Sequence, residues 1–153
     1  MITAIVRRRL VALLAALAAA PLLPFRSARA QPDTFAALLE QVTGGAPVRA
    51  GRVKVDTPRL ADNGHSVSLT VSVESPMTAA DHVRSITLLS ERNPRPLMAT
   101  FHLGPKAGRA EVATRVRLNG TQRVLAVARL SDGSYWSGTA EVEVTESACL
   151  DMT

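Results

Sequence analysis

One cysteine, one tryptophan, one tyrosine and three phenylalanines stand among 153 residues, so neither a disulfide framework nor an aromatic-rich binding face is available. The longest apolar run, from Leu10, is cut by Pro21 after 11 residues, short of the roughly 20 a membrane-spanning helix needs. A glycine-any-serine-any-glycine elbow, a phosphate loop and closely spaced histidine or cysteine ligand pairs are all missing. These absences leave no signature of a serine hydrolase, a nucleotide-binding enzyme or a zinc site. The formal charge of +5 suggests nucleic acid until its placement is read. Arg7, Arg8, Arg9, Arg26 and Arg29 precede residue 31 without any acidic residue, which leaves 13 basic and 13 acidic groups in the remainder. A neutral body exerts no net pull on a phosphate backbone, so no nucleic-acid partner is expected.

What is there begins with a leader. Arginines at 7–9, an Ala/Leu-rich stretch and Ala28-Arg29-Ala30 before Gln31 predict a secretory signal peptide over 1–30, with a membrane anchor as the alternative. Arg7-Arg8-Arg9-Leu10-Val11 fits the twin-arginine export pattern as well as an ordinary leader. Export predicts a periplasmic protein with no membrane attachment after cleavage. In an oxidising compartment cysteines usually pair, yet Cys149 has no mate.

Residues 32–43 read as a short helix capped by Asp33, with Phe35, Leu38, Leu39 and Val42 on one face and Gly44-Gly45 as its stop. The period then changes to two. Ser66–Glu74 alternates strictly, and less regular runs at 53–55, 83–89, 97–103, 110–118, 123–130 and 135–145 bring the count to about seven strands. Turn signals such as Asp62-Asn63-Gly64, Asn93-Pro94, Asn119-Gly120 and Asp132-Gly133 separate them. The expected fold is an all-β, immunoglobulin-like antiparallel sandwich. A two-residue loop at Asp132-Gly133 pairs Arg129 with Trp136. That register gathers Leu125, Val127, Trp136, Gly138, Ala140, Val142 and Val144 on a core face. It leaves Val124, Ala126, Ala128 and Leu130 on a half-apolar face that either covers another part of the chain or receives a partner.

His65, His82 and His102 are scattered, so no metal or cofactor is expected, and dispersed acidic residues give no catalytic pair. Cys149, four residues past the last strand, is the one side chain with covalent chemistry. An extended tail would hold it roughly 13 Å beyond the sheet; a tail folded back would make it a small buried hydrophobe. Glu146 and Asp151 nearby disfavour its thiolate, so activation would fall to a partner.

Val71-Ser72-Val73-Glu74-Ser75-Pro76-Met77-Thr78-Ala79-Ala80-Asp81-His82-Val83, Asn93-Pro94, Ala99–Pro105 with Gly108-Arg109-Ala110, Ser131–Gly138 and the near-terminal cysteine together resemble the SoxY family of sulfur-oxidation carriers. The resemblance implies a SoxY-like sandwich over 31–145 and a cysteine-bearing tail over 146–153. It also implies a heterodimer with a SoxZ-like subunit and Cys149 as the covalent attachment point for sulfur intermediates that periplasmic enzymes process. The carrier itself would catalyse nothing. The tail departs from the family pattern, because Ala148 and Leu150 flank Cys149 where the family's arm has glycines, and Asp151 follows. That order is similar to SoxY-related paralogues, and a divergent carrier for another periplasmic oxidation system is the alternative it raises. A non-catalytic binding module with a structural cysteine is the alternative from a different class.

Overall fold

The computed structural model describes residues 34–147. The predicted leader over 1–30, the Asp33 cap and Cys149 lie outside the described residues. A helix, α1 (Thr34–Thr43), is followed by nine strands: β1 (Val48–Ala50), β2 (Val53–Asp56), β3 (Leu60–Asn63), β4 (Val67–Val73), β5 (Val83–Ser90), β6 (Leu97–His102), β7 (Glu111–Val116), β8 (Gln122–Leu130) and β9 (Tyr135–Glu146). No helix among these residues is long and apolar enough to cross a membrane.

The seven alternating runs of the sequence are all strands. They form a sandwich of one six-stranded sheet, in the order β1-β9-β8-β5-β6 with β3 also on β9, and one three-stranded sheet, β2-β4-β7. The two further strands, β1 and β3, run parallel to β9 along its two halves, Val48 opposite Tyr135 and Leu60 opposite Glu143. Strand β4 shows why the sheets stack. Val67, Leu69, Val71 and Val73 are buried and the intervening positions are not, which is the period a half-buried strand requires. They meet Ile86, Leu88, Val124, Ala126, Ala128, Leu130, Val142 and Val144 across the inter-sheet core.

The β8–β9 register differs by one residue from the expectation. Arg129 pairs with Tyr135, and Ala128 with Trp136. The connection is a three-residue loop, not a two-residue one: Gly133 donates to the Leu130 carbonyl (3.1 Å), Leu130 to the Ser134 carbonyl (2.9 Å), and Gly133 takes φ 84°. This is a turn closed by a left-handed glycine, the next commonest hairpin type. Ser134 stabilises it by donating its amide and its hydroxyl to Asp132 Oδ1. Those two bonds, the hydroxyl's first, hold the Asp132 carboxyl below the ordinary aspartate value.

A one-residue slip exchanges the faces of a strand. Val124, Ala126, Ala128 and Leu130 therefore face the core, while Leu125 and Val127 lie on the outside of the sheet. There they join Leu89 under Phe35, Leu38, Leu39 and Val42 of α1, with Tyr135 alongside. The chain thus covers its own apolar outer face, and the half-apolar docking face expected around Ala126 and Ala128 is interior, both residues being fully buried. Strand β8 is consequently apolar on both sides over most of its length. The helix ends as the sequence indicates: Gly44 and Gly45 have φ of 64° and 78°, and the Gly45 amide reaches back to the Glu40 carbonyl at 3.0 Å, a six-to-one closing bond.

Candidate functional site

Cys149 follows β9 in the sequence, so the site begins with what holds the last described residues. Strand β9 is paired by β8 from Tyr135 to Val142 and, on its other edge, by β3 from Glu143 to Glu146, which pairs with Asn63. Beyond the ladder, Gly64 donates its amide to the Glu146 carbonyl at 2.7 Å. Thr121 Oγ1 accepts from the Val144 amide at 2.9 Å, and the Thr145 hydroxyl donates to the Asp62 carbonyl. The Ser147 hydroxyl donates to Asn119 Oδ1.

Asn119 belongs to a set of side chains that ties this end together. Its amide N–H donates to Asn93 Oδ1 at 2.8 Å, and its Nδ2 donates to the Arg92 carbonyl at 3.3 Å. Asn93 Oδ1 also accepts from Gln122 Nε2 (3.0 Å), while Asn93 Nδ2 donates to the Arg117 carbonyl at 2.8 Å. Gln122, nearly fully buried, accepts from the Arg92 amide at 3.0 Å through Oε1. The loops after β3, β5 and β7 thereby form a rigid collar around the exit of β9. Asn93-Pro94 and Asn119-Gly120 are legible in the sequence as turns. Their mutual bond spans 26 residues and has no local signal.

The remaining residues singled out by the sequence do not converge. His65 sits in the turn after β3, at the tail-bearing end, its amide on Asn63 Oδ1 at 3.2 Å. His82 precedes β5 and His102 closes β6, both at the far end; His82 Nδ1 lies 3.1 Å from the Thr78 carbonyl. Among the described residues no group of three His, Cys, Asp or Glu side chains is positioned to hold a metal ion.

The far end is built from the Ser131–Gly138 and Thr78–His82 segments. Ser131 and His82 exchange bonds: the His82 amide donates to Ser131 Oγ (3.1 Å), and the Ser131 amide to the His82 carbonyl (2.8 Å). The guanidinium groups of Arg49 and Arg52 lie 5.6 and 5.4 Å from the Trp136 ring centre, in cation–π contact. With β9 spanning 12 residues at about 3.3 Å each, this end is far from the tail and serves the scaffold.

A family model described as sulfur oxidation protein SoxY matches residues 39–149. The chain belongs to the SoxY family. The matched span contains the whole sandwich and its last residue is Cys149. Among solved structures, the sulfur carrier protein SoxY from Chlorobium limicola f thiosulfatophilum is 24% identical with a TM-score of 0.61, covering 72% of this chain and 94% of that one. A superoxide reductase (neelaredoxin) from Ignicoccus hospitalis is 20% identical, TM-score 0.55, covering 61% and 80%. The superoxide reductase from Nanoarchaeum equitans is 13% identical, TM-score 0.52, covering 63% and 100%. These likenesses show that the SoxY sandwich and the superoxide reductases share a fold. No curated protein matches the sequence.

Proposed function

We propose that this SoxY-family chain is a periplasmic carrier that holds sulfur-oxidation intermediates covalently on Cys149 while other enzymes act on them. The observation that carries the reading is the extent of the family match, which runs through the sandwich and ends on the chain's single cysteine. That cysteine lies three residues beyond the end of β9, which β3 pairs as far as Glu146 and Thr121 braces at Val144, with the next residue, Ser147, bonded to Asn119, as expected of a rigid post bearing a short arm.

In this reading the leader over 1–30 exports the chain, residues 31–145 form the scaffold and 146–153 the arm. A SoxZ-like subunit completes a heterodimer. Loading joins the Cys149 thiolate to the outer sulfur of thiosulfate, forming an S–S bond and releasing two electrons to a haem-containing partner. Water then cleaves the terminal S–S bond of the adduct, giving sulfate and leaving a persulfide on Cys149. The chain supplies the sulfur atom and its placement, and no catalytic group. In this reading the thiolate is activated in the partner's site.

Mass spectrometry of the protein isolated without reductant from cells oxidising thiosulfate is expected to show thiosulfonate and persulfide additions on Cys149. Cys149→Ser is expected to abolish both additions and growth on thiosulfate. An unmodified thiol throughout such growth overturns the reading.

A further inference from the structure

The side of the sandwich away from β1 and β3 is open, because β6 borders one sheet, β7 borders the other, and each is paired on one side only. Between them, at the tail-bearing end, lies a groove of about 280 Å³ lined by Asn93, Arg95, Met98, Thr114, Arg115 and Arg117 among others. The three arginines are exposed, and no carboxylate lines the groove. Among the described residues the ion pairs are Arg52–Asp81 and Arg123–Glu91, and neither involves these three. Arg115 Nη1 donates instead to the Ser66 hydroxyl at 3.2 Å. Three guanidinium groups gathered without a counter-charge repel one another and favour a bound anion, which they can grip with paired N–H donors.

The position of the tail says which anion. The described chain ends at Ser147, bonded to Asn119, which is bonded to Asn93; Asn93 lines the groove and holds the Arg117 carbonyl. Cys149 is two residues further, at most about 7 Å from Ser147 along an extended chain. The carrier reading places a sulfonate on that thiol.

We infer that the groove between β6 and β7 is a docking site for the loaded tail of the same chain, Arg95, Arg115 and Arg117 holding the sulfonate carried by Cys149. The inference rests on the carrier reading for its natural cargo. A thiol without the sulfonate lacks the charge that holds it there, so the tail is retained when loaded with thiosulfonate and released once sulfate has been removed.

The test loads Cys149 chemically in the full exported chain, so cellular loading plays no part. Sulfonatoethyl methanethiosulfonate transfers its sulfonatoethylthio group to the Cys149 thiolate, with methanesulfinate leaving; hydroxyethyl methanethiosulfonate gives the neutral counterpart. The rate at which 2-mercaptoethanol releases each group is measured. The sulfonate adduct is expected to be released several-fold more slowly than the neutral one in the native chain. The two rates are expected to converge in Arg95→Gln/Arg115→Gln/Arg117→Gln, and in the native chain at high salt. An equal ratio in the native and variant chains overturns the inference. So does protection that appears only when a SoxZ-like subunit is added, or sulfate binding to the arginines that leaves the release rates unchanged. Failure of cellular loading at Cys149 would defeat the carrier reading and leave this result standing.

Discussion

Gly138 on β9 occupies a place where a side chain cannot fit. A Cβ built there would stand 2.1 Å from the Val53 carbonyl oxygen and 2.9 Å from its carbon, both backbone atoms that no rotamer change can move. The close approach arises because the chain crosses from the edge of β9 to the edge of β4 at Gly51-Arg52, both with positive φ, and Val53 then lies across β9. Gly138→Ala is therefore expected to destabilise the fold by at least about 2 kcal/mol, read as a lower urea midpoint with unchanged slope; a wild-type midpoint would contradict the packing described. Arg52, with φ 55°, adopts a conformation uncommon outside glycine. It is held by its contacts with Trp136 and Asp81. The sequence displays Gly138 as the end of a glycine-containing segment, but its reason is a contact 85 residues away and cannot be read locally.

Helix α1 is the element whose role the sequence states least directly. Its apolar face is plain from Phe35, Leu38, Leu39 and Val42, whereas its target depends on the register of the hairpin beside it. Replacing Leu39 by aspartate puts a charge against Leu89, Leu125 and Val127. The substitution is expected to cost about 2 kcal/mol, measured as a lower thermal midpoint together with increased binding of a hydrophobic dye. Seven of the nine strands were legible as apolar runs bounded by turn signals, although only β4 alternates strictly and β8 is buried on both faces over most of its length. Val48–Ala50 and Leu60–Asn63 were not, since neither has the paired apolar positions that Val53 and Val55 give β2, and both owe their extension to pairing with β9. Part of the second even coincides with Asp62-Asn63-Gly64, which reads as a turn. The single-residue error at Asp132-Gly133 has a similar origin: the dipeptide announces a hairpin, and the added loop residue that decides which face is buried leaves no mark in composition.

At the scale of the whole molecule, the two ends of the sandwich divide the work. One end is closed by Trp136 with two arginines over its ring and by the Ser131–His82 exchange; the other is collared by Asn93, Asn119, Thr121 and Gln122 where β9 ends. Asn93 ties its own loop to the β7–β8 connection through a single amide, accepting twice and donating once. Asn93→Ala is expected to lower stability by about 2–3 kcal/mol, with faster hydrogen exchange concentrated at residues 117–121 and 144–147. Exchange that rises evenly over the domain would instead deny the collar a local role. Cys149 itself was legible as the chain's lone thiol, and the family match gave that thiol a context. The arginine groove was not legible, because Arg95 lies in the loop between β5 and β6 while Arg115 and Arg117 lie on and just after β7 in the other sheet, and only the folded sandwich sets them side by side.

The pairing of β9 also bears on how the domain meets mechanical load. In the proposed carrier role, a tail gripped in a partner's cleft would be pulled along the axis of β9. Ladder hydrogen bonds lie across that axis, and β9 has neighbours along both flanks. Traction along β9 is therefore distributed over many bonds in shear instead of unzipping them one by one, and in the proposed carrier role the tail would be withdrawn from an enzyme without unravelling that strand.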